Sequence, residues 1–306
     1  MRREDIVQRF ENLNLWSSGG QRAPHKPLLV LYAIGRLLRD GTRLIPYTEI
    51  EVDLGRLLQQ FSPRRSRQGT QYPFWRLQTD EVWEVTHADG IGLTSSGDAL
   101  VSDLRDEDSE VSGGFTEEIF REFQSDTGLV LEIVKRLLIG HFPSTIHEDV
   151  LQEAGFRLPL QVDGLDLLSQ LPITSPRDPN FRLNILRAYE YRCAVCGFDV
   201  RLGNTPVALE AAHIRWQQAG GPDEPVNGLA LCSLHHKLFD RGAFTLSNQL
   251  RILVSDDAHG SVDFEEWLLR FHGRNINFPQ RQSYYPQGNF VGWHVREVFQ
   301  GNPREL

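Results

Sequence analysis

All three cysteines of this chain fall between positions 193 and 232, where metal-binding donors come in pairs separated by two residues: Cys193 with Cys196, then Cys232 with His235. A pair spaced this way sits on one tight loop and grips an ion from one side. Two such pairs close a tetrahedral zinc site, which ties two distant segments together and dictates the local fold. Burial as an inert thiol is the ordinary fate of a single cysteine. It does not account for three of three in metal-spaced pairs. A disulfide is a weaker reading, because the count is odd, the N-terminus does not read as a secretory leader, and Cys193 and Cys196 are too close for an ordinary staple. Cys193, Cys196, Cys232 and His235 are therefore read as ligands of a structural Zn2+.

The same stretch carries His213, Asn227 and His236. LEAAHI, positions 209–214, has the apolar character of a short strand, so His213 faces away from Ala212 and Glu210. CSLHHKLFD reads as a helix, with Asp240 one turn beyond His236 on the same face. Adjacent His235 and His236 point about 100° apart on a helix, so each can serve a different ion. The order histidine, asparagine, histidine inside a zinc framework, with NGLALC and HHKLFDRG around it, resembles the HNH endonucleases, the ββα-metal nucleases. The resemblance implies His213 as general base, Asn227 as the residue that holds the loop and orients the base, and His236 as a ligand of the catalytic divalent ion. A filled zinc site leaves no position for substrate. A second, oxygen-preferring ion, Mg2+ or Mn2+, is therefore implied. Many family members carry an acid directly before the base, where this chain has Ala212. Glu210, on the same strand face, and Asp240 are the candidates for the missing oxygen ligand, and Asp240 is favoured.

Upstream of this stretch the charge is uneven. The net charge of −9 argues against a nucleic-acid partner, but residues 1–80 carry net +5 and residues 81–170 net −14, with the remainder neutral. Binding follows the charge of the contacting face, not the total. No apolar run approaches the ~18 residues of a membrane span, and MRREDIVQRFENL reads as an amphipathic helix, so a cytoplasmic protein is expected. PITSPRDPN, positions 172–180, is a linker by composition. It divides a domain over 1–171 from one over 181–306. The acidic block over 81–170 reads as a solvated outer face.

In the first domain, periodicity predicts helices over 4–16, 25–40 and 48–61, the second entered through Pro27 and ended at Gly41, the third capped by Thr48. SPRRSRQGTQ is a basic loop. YPFWRLQ and VWEVTH predict a hairpin of short strands, residues 95–106 a helix, and 115–168 mainly helix. After position 180 the expectations are a helix over 181–191, a strand pair within 243–254 and a packing tail. The whole is α+β: a helix-rich α+β DNA-reading domain, then a ββα-metal (HNH) domain with a structural zinc.

APHKPLLVLYAIGRL followed by YPFWRLQ and VWEV resembles the sulfur-binding domain of restriction enzymes that attack phosphorothioate-modified DNA, the McrA-like, type IV class. The resemblance implies an apolar cavity for the backbone sulfur. Tyr72 and Pro73 stand at the matching wall positions, with His25 and Lys26 nearby. Arg22, Gln68, Gln71 and Arg76 are candidates for phosphate or base-edge contacts. The expected activity is cleavage of phosphorothioated double-stranded DNA near the modified linkage. One HNH site cuts one strand, so a homodimer is a reasonable arrangement. Two other readings stay open: an HNH nuclease directed to another modification, such as a methylated base, and a non-catalytic DNA-binding protein with a structural zinc.

Overall fold

A computed structural model of the chain describes residues 2–15, 21–64, 69–106, 110–156, 161–162, 165–166 and 179–305. The chain divides into two compact units, Met1–Ile173 and Thr174–Leu306. Both mix helix and sheet, as the α+β expectation required. Most of the 172–180 stretch lies outside the described residues. Among the described residues, no helix is long and apolar enough to cross a membrane.

The His25–Asp40 helix is the axis of the first unit. Every residue from Leu28 to Ile34 is buried. A helix apolar on every side must be covered on every side, and the helices Tyr47–Phe61, Gln71–Arg76 and Thr127–His141 pack on it. It ends at Gly41, in the left-handed conformation. A three-stranded antiparallel sheet lies in the same unit, with Ser112–Phe115 between Leu44–Pro46 and Trp83–Thr86. Tyr47, Phe74, Trp83, Phe115 and Phe123 meet edge to face at centroid distances from 4.9 to 6.2 Å, a geometry that aromatic quadrupoles favour.

Several expectations for this unit give way. YPFWRLQ is not a strand: Gln71–Arg76 is an α-helix, continued by a 3-10 turn over Leu77–Asp80. Pro73 falls in its first turn, where a missing N–H costs nothing. Pro73, Phe74 and Leu77 are its buried face. The strand Trp83–Thr86 pairs instead with Ser112–Phe115, far along the chain. Only Val101–Leu104 of 95–106 is helical. Thr48 lies inside the Tyr47–Phe61 helix, whose N-cap is Pro46. Among the described residues of 115–168 the α-helices are Glu117–Ser125, Thr127–His141 and His147–Glu153.

The acidic block is more than a solvated face. Asp126 and Glu132 pair with Arg3, and Glu132 also takes Arg136, which reaches Glu11. Glu84 pairs with Arg43 and Glu81 with Arg9. Much of the basic charge of residues 1–80 is thus matched within the unit. Arg65 and Arg67 of the basic loop lie outside the described residues.

In the second unit, Leu209–His213 and Gly228–Cys232 form an antiparallel pair in the register Leu209 to Cys232 and His213 to Gly228. The helix Ser233–Asp240 follows directly, completing strand, strand and helix. The helix Pro179–Ala188 packs on both strands. Phe244–Leu246 and Ile252–Val254 make the expected strand pair. Of the tail, Trp293 and Val291 are buried, whereas Trp267 is half exposed.

Candidate active site

Cys193, Cys196, Cys232 and His235 converge, their donor atoms all within 4.8 Å of one another. The Cys193 sulfur lies 3.7 Å from Nδ1 of His235, and the Cys196 and Cys232 sulfurs are 4.0 Å apart. A tetrahedron with zinc–sulfur bonds of about 2.3 Å has edges of about 3.8 Å, so the donor set fits a zinc ion. All three cysteines are free of disulfides. Nε2–H of His235 donates to the carbonyl of Trp267 at 2.8 Å, which fixes the tautomer and turns Nδ1 toward the sulfurs. Cys196 and Cys232, ahead of His235, hold the Cys193 thiol below its ordinary range. That favours thiolate, the form that binds metal.

The catalytic candidates are set around the same hairpin. Glu210 extends from the first strand and accepts from Nδ1 of His236 at 2.6 Å, while Asp240 accepts from Nε2 at 3.2 Å. His236 is buried and bracketed by two carboxylates. Burial opposes its charged form most strongly, but Asp240 and then Glu210 outweigh that and lift the imidazole to about 9. The two acids differ in access. Asp240 is 3% exposed, whereas the side chain of Glu210 is 39% exposed and also accepts from the Ser233 hydroxyl at 2.6 Å.

His213 ends the first strand, 6% exposed, with its ring stacked on Phe181 at 4.0 Å and 13°. Its Nε2 lies 2.6 Å from Oδ1 of Asp223. Asn227 is fully buried. It accepts from the Arg215 N–H and donates to the carbonyls of Arg215 and Pro222, and its own carbonyl accepts from Ile214.

The reading candidates of the first unit are less uniform. Tyr72 is 39% exposed, and Arg76 lies over its ring at 5.5 Å while holding Asp98 at 2.5 and 2.7 Å. Gln71 and His25 are half-buried. Pro73 is buried under the same short helix. Two candidates turn inward. Lys26 is 7% exposed, its ammonium on Asp80 at 2.5 Å. Arg22 is 8% exposed and donates to the Phe61 carbonyl at the end of the Tyr47–Phe61 helix. Both charges thus have partners within the fold in this structure. Gln68 lies outside the described residues.

The family described as ScoMcrA-like, DNA sulfur-binding domain matches residues 3–158. The chain belongs to that family. A second family, described as HNH endonuclease, matches residues 193–247. The protein thus joins a DNA sulfur-binding domain to an HNH nuclease domain. Among solved structures, the sulfur-binding domain of ScoMcrA complexed with phosphorothioated DNA is 24% identical, over 49% of this chain and 98% of that one, with a TM-score of 0.42. The corresponding SprMcrA domain is 23% identical, over 51% and 94%, at 0.43. The type IV phosphorothioation-dependent restriction endonuclease ScoMcrA is 15% identical, over 76% and 94%, at 0.41. No curated protein matches the chain.

In the HNH domain, the residues that sequence reasoning missed are Asp223, Ser233 and Phe181. Asp223 sits in a GGPDEP loop with no periodicity to mark it. The signal for Ser233 was its place at the first position of the helix, and that for Phe181 its start of the helix entering the zinc knuckle.

Proposed function

We propose that this protein is a modification-dependent restriction endonuclease of the McrA-like, type IV class. Its domain over 1–171 binds phosphorothioated double-stranded DNA, and its domain over 181–306, joined through 172–180, hydrolyses phosphodiester bonds near the modified linkage. The observation that carries this is the presence, in one chain, of a sulfur-binding domain match over 3–158 and an HNH match over 193–247.

The reader's selectivity follows from solvation. Replacing a non-bridging phosphate oxygen by sulfur keeps the charge but makes the atom larger and less tightly hydrated. An apolar wall costs sulfur little, while oxygen forfeits hydrogen bonds that the wall cannot replace, a difference of roughly 1–3 kcal/mol. Tyr72 and Pro73 supply that wall, with His25 beside it. Gln71 and Arg76 reach the neighbouring backbone, where contacts add affinity without selectivity.

In the cutter, His213 takes the proton of the attacking water, a task suited to an imidazole near neutral pH. Asn227 holds the loop after the first strand. Cys193, Cys196, Cys232 and His235 hold the structural Zn2+. Glu210 and His236 form the seat of the catalytic Mg2+ or Mn2+, a mixed oxygen and imidazole set. This reverses the preference for Asp240, since the buried Asp240 lies behind His236 and orients its ring, while Glu210 meets solvent. When bound, that ion offsets the negative charge that builds on the phosphate and the leaving oxygen. Two copies on one duplex would sever both strands.

The test compares one duplex with and without a stereo-defined sulfur. The modified duplex is expected to bind about tenfold tighter or more, and Tyr72→Ala to shrink that gap. On a phosphorothioated plasmid with Mn2+, the wild type cuts and His213→Ala does not. Equal binding of both duplexes, or equal cutting by both proteins, would overturn the reading.

A further inference from the structure

The Asn227 side chain makes three hydrogen bonds in the loop between the Leu209–His213 and Gly228–Cys232 strands, and these bonds have a geometric result. Its amide oxygen accepts from the Arg215 N–H at 2.8 Å, and its amide nitrogen donates to the carbonyls of Arg215 and Pro222, each at 3.0 Å. Residues 215 and 222 are thereby pinned together, and the segment between them closes into a loop. The Arg215 guanidinium fastens it further on the Ala219 carbonyl, at 2.9 and 2.6 Å, and the Gly221 N–H donates to the Trp216 carbonyl at 2.9 Å. At Gly221 a β-carbon would overlap the Arg215 carbonyl, so the closure requires glycine. The residue that leaves this clamp is Asp223, delivered onto Nε2 of His213 at 2.6 Å.

That contact determines which ring nitrogen does the chemistry. An ionised carboxylate only accepts hydrogen bonds, so the proton in this bond sits on Nε2. In the neutral imidazole the lone pair then belongs to Nδ1. Phe181 stacks against the ring at 4.0 Å and restrains its plane. We propose that Asp223 is a positioning residue of the nuclease: seated by the Asn227-clamped loop, it locks His213 in the Nε2–H tautomer and presents Nδ1 as the base. Asn227 accordingly acts on the base through Asp223 rather than by touching it. The inference rests on the nuclease reading above and adds to it the residue that sets the tautomer.

The test has two arms on the full-length, zinc-loaded protein. In the first, 15N-labelled histidine is followed by NMR, the His213 ring being assigned from its loss in His213→Ala. The ring is expected to show a protonated Nε2 with a downfield, exchange-protected proton. Asp223→Asn should move that proton upfield, and Asp223→Ala should abolish its protection and mix the tautomers. In the second arm, cleavage of phosphorothioated duplex is measured at saturating Mn2+. Asp223→Ala is expected to lower kcat about tenfold or more, with KM for the duplex unchanged, and Asp223→Asn to retain part of the lost rate. If Asp223→Ala is poorly folded, the isosteric Asp223→Asn decides both arms. Ring signals indifferent to both substitutions overturn the proposal, as does wild-type kcat in Asp223→Ala alongside an inactive His213→Ala. A wild type that cuts no DNA at all overturns the nuclease reading instead, and the NMR arm still decides the tautomer.

Discussion

His141 closes the Thr127–His141 helix in the reading domain. Burial, and then the positive charge of Arg22, push its imidazole from 6.5 down to about 4. Burial lowers His147 as well, against the pull of the carbonyls of Phe142 and Leu138. The unfolded chain takes up a proton on such a residue near pH 6.5, whereas the folded domain holds it neutral. Each therefore costs stability as pH falls from about 6.5, and for His141 the loss levels off near 4. At about 1.4 kcal/mol per pH unit the His141 contribution is about 3 kcal/mol. His141→Gln cannot titrate, so its melting temperature should fall less steeply than the wild type's between pH 6.5 and 4.5. Parallel curves would remove His141 as a source of acid sensitivity. The same scale shows what a sequence conveys about single residues. Donor identity and spacing singled out Cys193, Cys196, Cys232 and His235, because a metal demands particular atoms. Lys26 and Arg22 are harder to read, because a basic side chain reads alike whether it meets a phosphate or an internal partner such as Asp80. Asp223 was invisible, since its value lies in a loop closure that no periodicity encodes.

Among the elements, the strand–strand–helix unit was legible and the 71–76 segment was not. LEAAHI and NGLALC are short apolar runs flanked by polar turns, and the metal pairs fix their ends. YPFWRLQ carries aromatic residues that suit a strand, yet its buried set, Pro73, Phe74 and Leu77, has helical spacing. The partner of Trp83–Thr86 lies nearly thirty residues downstream, beyond the reach of local pattern. Close packing of elements leaves a sharper mark at Gly228. Its backbone is extended, φ −133°, and open to any residue. A β-carbon there would overlap the Ile185 side chain and press on Phe181, both on the Pro179–Ala188 helix that covers the strands. Gly228→Ala should therefore destabilise the nuclease domain by about 1–3 kcal/mol through overpacking alone. Trimming the opposing side chain, as Gly228→Ala with Ile185→Val, should recover part of the loss. Failure of the pair to recover any of it in thermal melts would rule out this steric account.

At the scale of the whole molecule, the two domains depend on different things. The reading domain has an aromatic and aliphatic core of its own, with no metal cluster among its described residues. The nuclease domain places Cys193, Cys232 and His235 inside its core, buried to within 8% exposure or less. Without an ion, that core would enclose thiolate charge and imidazole with nothing to neutralise them, an unfavourable state in a poorly solvated site. Structural zinc sites commonly contribute on the order of 10 kcal/mol or more to folding, so the nuclease domain should unfold when the ion is stripped. Dialysis against a strong chelator should then abolish cleavage, and Mn2+ alone should not restore it, whereas Zn2+ followed by Mn2+ should. The preference for phosphorothioated over plain duplex should survive the stripping, because it belongs to the other domain. Joining the two on one chain raises the cutter's local concentration only around DNA that the reader already holds. The chelated protein should therefore act as a competitor, shielding modified DNA from cleavage by the intact enzyme and leaving plain DNA unshielded. Cleavage restored by Mn2+ alone would show that the cysteine cluster is dispensable for the nuclease fold. Loss of the binding preference on chelation would show that the reader needs the zinc as well.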